Sequence, residues 1–174
     1  GKGTIVIEPD DTKLHQLALN SGYVEKALRY LHALQLMVLI IRPAALAAAA
    51  RFTREELDEL TDRFTSPGSV YLADIQEAVL KHTTLEPLYV ILSETNHLLE
   101  WGHHFAYYPS KRHTLSHLNK KAITALRQLY EGNASSFADG MADCYRYILI
   151  CMKKNMVEKY KFHNVANIRV PEKY

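Results

Sequence analysis

Five of the nine histidines fall close together, at His97, His103, His104, His113 and His117. Histidine is the side chain best suited to hold a metal or move a proton near neutral pH. Zinc needs three or four converging ligands at characteristic spacing. This stretch has no His-Glu-x-x-His pattern and no nearby cysteine, and adjacent residues such as His103 and His104 generally point in different directions. Together with Phe105, Tyr107 and Tyr108 the histidines read as a packed or partner-contacting loop, and neither a metal nor a cofactor is expected. Other catalytic templates are missing from the sequence: there is no glycine-rich phosphate loop, no Gly-x-Ser-x-Gly elbow and no obvious carboxylate pair. Only seven glycines occur, so few of the close backbone approaches that cofactors require are on offer, which points away from an enzyme. Cys144 and Cys151 share one helical pattern; two helical turns apart is about 10 Å, beyond disulfide reach. They read as reduced core thiols, which suits the cytoplasm or nucleus. The Asn133-Ala134-Ser135 sequon reads as a turn between helices.

Charge is unevenly divided. Residues 1–100 carry 9 Lys and Arg against 14 Asp and Glu, whereas residues 101–174 carry 12 against 5. A basic surface in the second half, with Lys111, Arg112, Lys120, Lys121 and Arg127 as one patch and Lys153, Lys154, Lys159 and Lys161 as another, would attract an acidic partner or nucleic acid. Eleven tyrosines are more than a small core hides with satisfied hydroxyls, so some should face solvent or a partner. Tyr107, Tyr108, Tyr145, Tyr147 and Tyr160 are the candidates. Met152 and Met156, beside Tyr160, would line an adaptable groove for an amphipathic helix; the plainer reading of the same residues is core packing.

Two resemblances accompany these residues. Arg112 and His117 form an Arg-x4-His arrangement that resembles the signature of HEPN-type helical ribonucleases, a likeness that implies RNA cleavage by that pair across a dimer interface. The segment Glu25-Lys26-Ala27-Leu28-Arg29-Tyr30-Leu31-His32-Ala33-Leu34 looks like one helix of an MIT-type or TPR-type hairpin, and Ala125-Leu126-Arg127-Gln128-Leu129-Tyr130 is similar. Modules of those kinds bind peptides or helices of partner proteins.

The elements that must position these residues are helical. The chain of 174 residues, 48% hydrophobic and 23% charged, predicts one domain, 1–174, able to bury its own core. Residues 4–8 look extended, and Asp10 to Thr12 cap a first helix ending near Gly22. An apolar helix follows from Tyr23 to about Arg42, which Pro43 must kink or end, and the alanine run to Ala50 invites a neighbouring helix to approach closely. Arg42 and Pro43 at the middle of residues 33–50 favour a buried helix over a membrane span. Thr53 and Glu56 form a capping box opening a short helix through Arg63, and Ser66-Pro67-Gly68 is a turn. Helices are expected over 70–82, 85–101 and 114–130, the last stopping at Gly132-Asn133. The final long helix, 136–161, carries Phe137, Met141, Cys144, Tyr145, Ile148, Met152, Met156 and Tyr160 at three-four spacing. Residues 165–170 look extended and are expected to pair with 4–8. The sequence thus predicts an all-α fold, an antiparallel bundle or stacked hairpins of about seven or eight helices. Its expected function is protein–protein interaction or scaffolding, with a partner helix, a peptide or a second copy; the alternative is a nucleic-acid-binding or HEPN-like RNA-processing domain using the basic half.

Overall fold

The computed structural model describes residues 21–63, 72–100 and 111–172. Among them the chain is helical, with six α-helices and one 3-10 helix: α1 (Ser21–Ala49), α2 (Arg54–Arg63), α3 (Leu72–His82), α4 (Glu86–Glu100), α5 (Lys111–Tyr130), α6 (Ala134–Glu158) and the 3-10 helix His163–Asn167. Residues 4–8, the first expected helix as far as residue 20 and the Ser66-Pro67-Gly68 turn lie outside the described residues; Ser21 and Gly22, expected to stop that helix, instead belong to the first turn of α1.

The two longest helices, α1 and α6, are the centre of the bundle, and they pack more extensively on each other than any other pair. Their sequences explain why. On α1 Ala27, Leu31, Leu34, Val38, Ile41, Ala45 and Ala48 recur at three-four spacing and are buried, one broad apolar arc. On α6 the whole stripe from Phe137 through Met141, Cys144, Ile148, Met152 and Met156 is buried as well. Arg42 closes the α1–α6 seam at its rim with an ion pair to Asp139 at 2.6 Å. α5 lies along α6, and α3 and α4 flank α1, while α2 and α3 also meet α5.

Pro43 does not end α1. It sits inside a helix 29 residues long, which corrects the boundary expected near Arg42. The proline deprives the carbonyl of Leu39 of its helical donor, but Pro43 and Leu39 both lie on the exposed side of α1, where water can serve that carbonyl. By length and hydropathy Val24–Ala49 could cross a membrane, and half of its most apolar window is buried in this bundle.

Local chemistry sets the helix ends. In the capping box of α2, Thr53 Oγ1 accepts from the Glu56 amide at 3.2 Å and the Thr53 amide donates to Glu56 Oε2 at 3.1 Å. α5 begins at Lys111, three residues earlier than expected, and ends in a Schellman motif. There the amide of Gly132 bonds the Leu129 carbonyl and that of Asn133 bonds the Gln128 carbonyl, with Gly132 at φ 83°. Asn133 then caps α6, its Oδ1 accepting from the Ser136 amide at 3.1 Å. Gly132 and Asn133 together therefore stop one helix and start the next, which folds α5 and α6 into a hairpin. At its floor the pair is close: a Cβ on Gly140 would stand 2.6 Å from the Ala125 Cβ.

Four carbonyls of the C-terminal segment accept from side chains. Val165 to Asn167 belong to the 3-10 helix and are not extended; Ile168 is. The carbonyl of Ile168 accepts from Lys153 Nζ at 2.6 Å and that of Arg169 from Gln35 Nε2 at 2.5 Å. Those of Pro171 and Glu172 accept from Arg146 at 3.0 and 3.1 Å. Main-chain acceptors need partners, and here α1 and α6 provide them.

Candidate interaction surfaces

The tyrosine and methionine residues expected to form a groove separate into two groups. Tyr145, Met152, Met156 and Tyr160 are buried, at 3%, 1%, 0% and 4% exposure, so the plainer reading of them as core packing is what this fold contains. The Tyr145 hydroxyl donates to Gln76 Oε1 inside the bundle, tying α6 to α3, and the Tyr160 ring lies 5.9 Å from that of Phe162. Tyr147 alone of the described set stays half-buried at the surface. Tyr107 and Tyr108 lie outside the described residues.

The basic residues separate as well. Lys120, Lys121 and His117 line a groove of about 280 Å³ between α5 and α6, together with Thr124, Gln128 and Asp143. The His117 ring lies 4.9 Å from that of Tyr147, and Lys121 Nζ stands 5.9 Å from the centroid of the Tyr147 ring. Arg127 is exposed on α5 beside this groove and does not line it. Lys111 and Arg112 belong to the first turn of α5, but their side chains lie outside the described residues. Positions 112 and 117 share one helix, and five residues apart on a helix is about 140° around the axis. Within one chain, the Arg-x4-His spacing therefore does not set the two positions on one face.

A second groove, of about 320 Å³, lies between α2 and α3 and is lined by Glu56, Glu59, Asp74, Glu77 and Lys81. Glu56 in its wall accepts from Lys81 Nζ at 2.6 Å and meets His82 Nε2 at 2.8 Å. The Lys81 hydrogen bond first, then the Thr53 amide, hold the Glu56 carboxyl down at about 2, well below its ordinary value. Among the described residues no group of three His, Cys, Asp or Glu side chains could hold a metal ion. Burial pushes the Cys144 thiol up to about 12, and Cys151 is raised for the same reason. Neither is a poised nucleophile.

The surface that sequence reasoning missed is on α4. Leu85, just before the helix, and Tyr89, Val90 and Ile91 within it are exposed at 50%, 44%, 49% and 39%. Among the residues of α4 whose side chains are described, Leu92 and Thr95 are the buried ones; the helix packs mainly on α1 and only slightly on α3. The one available signal was the run Leu88-Tyr89-Val90-Ile91-Leu92 itself, which is apolar all round where a helix with one buried face needs only a stripe. Leu36 and Leu39 on α1 and Ile150 on α6 are also exposed.

No protein-family model, curated protein or solved structure matches this chain.

Proposed function

We propose that this helical bundle is a protein-interaction domain that docks an amphipathic, basic helix of a partner protein on the exposed side of α4. The observation that carries the reading is the exposure of four neighbouring apolar residues, Leu85, Tyr89, Val90 and Ile91, on and just before α4. Apolar area forgoes about 25 cal/mol per Å² when it stays hydrated, and contiguous exposed apolar patches mark interaction sites. The charges beside the patch select the partner. On a helix Glu86, Val90 and Glu94 follow one another at intervals of four, so both carboxylates flank the exposed valine. Both are exposed and the described part of α4 carries no cation. A helix that offers leucines with lysines beside them complements that face.

The test is fluorescence anisotropy with two synthetic amphipathic helices, one of leucine and lysine, the other of leucine and glutamate. The lysine peptide should bind the wild type more tightly, and Val90→Asp or Ile91→Asp should weaken it at least tenfold while the circular dichroism spectrum stays helical. Equal binding to wild type and Val90→Asp, or no binding at all, would overturn the proposal. So would light scattering that shows a dimer dissociated by Val90→Asp, since the occupant would then be a second copy.

A further inference from the structure

We infer a second binding site, for single-stranded nucleic acid, in the groove between α5 and α6. It stands apart from the α4 face and rests on different residues.

The groove exists because two small residues meet at its floor. Gly140 and Ala125 bring the helix backbones so near that a methyl group at 140 would strike the Ala125 Cβ at 2.6 Å, and longer side chains rise on either side of that contact. From His117 to Gln128 the wall supplied by α5 runs for eleven residues, about 16 Å at the helical rise, enough for a few nucleotides.

Its charge is mainly positive. The sequence of α5, KRHTLSHLNKKAITALRQLY, holds no aspartate or glutamate over 20 residues, whereas the second half of the chain as a whole has five. Lys120 and Lys121 face the groove. Asp143 is the single carboxylate that lines it, and Arg146 Nη1 neutralises that group at 2.5 Å. Among the described lining residues, a polyanion therefore meets two lysines and one carboxylate that already has a cationic partner.

The aromatic pair narrows the class of polyanion. His117 is the exposed ring that lines the groove; half-buried Tyr147 stands behind it, its ring 4.9 Å from that of His117 and 5.9 Å from Lys121 Nζ, and holds the imidazole in place. Lysines that track phosphates next to rings on which bases stack are the two requirements of single-strand binding. Ser136 adds a hydroxyl along the same groove, able to reach phosphate or base edges, whereas the Thr124 hydroxyl donates to the Lys120 carbonyl and the Gln128 amide to Glu131. An acidic peptide would use the lysines and leave the rings idle.

The experiment is anisotropy of a labelled uridine dodecamer against the intact chain, with heparin and polyglutamate as polyanions that lack bases. Affinity for the dodecamer should fall steeply between about 50 and about 200 mM salt. Replacing Lys120 and Lys121 together by alanine should weaken it about tenfold and reduce the dependence of log affinity on log salt by about 1.4, at roughly 0.7 per phosphate neutralised. Tyr147→Leu should weaken the dodecamer severalfold and leave heparin unchanged, and Val90→Asp should alter neither. The inference is overturned if the dodecamer does not bind at low salt, if the double lysine variant binds as the wild type does, or if Tyr147→Leu loses heparin and dodecamer equally. It is overturned as well if polyglutamate competes as effectively as the dodecamer, which would make the groove a site for acidic protein segments.

Discussion

At position 140 a single hydrogen atom decides how near two helices come. Gly140 lies in the interior of α6, where glycine weakens a helix by up to about 1 kcal/mol relative to alanine. On an isolated helix Gly140→Ala would therefore stabilise. Here the added methyl would lie 2.6 Å from the Ala125 Cβ and 3.2 Å from its Cα, and a neighbouring backbone cannot step aside as a flexible side chain can. Overpacking of this kind costs about 1–3 kcal/mol. Gly140→Ala should thus lower the urea midpoint, and pairing it with Ala125→Gly should restore much of the loss. A midpoint raised by Gly140→Ala would mean that α5 and α6 do not approach in this way. The sequence showed the glycine but not the partner across from it, since nothing in the spacing of α6 says that residue 125 is its neighbour.

At the scale of elements, α2 buries Leu57 and Leu60 in the core, and one of its carboxylates ties it to α3. Glu56 closes the capping box of its own helix and at the same time takes hydrogen bonds from Lys81 and His82 at the end of α3. Because folding moves this carboxyl from 4.5 to about 2, the folded state holds on to its charge more strongly than the unfolded chain does. The resulting stability is fully present above 4.5 and drains away as the pH falls through the interval down to about 2. Glu56→Gln should destabilise the protein at neutral pH, and the gap between variant and wild type, read from denaturant midpoints, should shrink across that same interval. A gap that stayed constant with pH would show that the carboxylate charge is not what binds α2 to α3. The capping box itself was legible, because Thr53 and Glu56 stand three apart at a helix start. The bonds to Lys81 and His82 were not, since they depend on where α3 comes to rest.

For the whole molecule, the core is one continuous cluster that runs from Ala27 through Phe137 to Ile168, and Cys144 sits inside it with no measurable exposure. Its thiol, pushed up to about 12 by burial, cannot react as a thiolate until the cluster opens. Labelling with an aromatic disulfide should modify Cys151 first and Cys144 only at the rate of global unfolding, with denaturant accelerating the second phase. Rapid native-state labelling of both would show that α6 separates from α1 on its own.

What the sequence determined by itself is periodic or local. The three-four recurrence on α6, the arc on α1, the Thr53–Glu56 box and the glycine stop at Gly132 each involve residues within a few turns of one another, and each is present in the fold. Pro43 left kinking and ending both open; α1 runs on through it with the freed Leu39 carbonyl on the exposed side of the helix, and exposure is settled by neighbours. The tertiary structure alone decided which surfaces remain uncovered. It drew Tyr145, Met152 and Met156 inward, left Tyr89, Val90 and Ile91 in water, and set Tyr147 beside His117 and Lys121. An apolar side chain is attracted equally to any apolar surface, so its type announces that it seeks cover, while only the packing of distant helices determines whether it finds any.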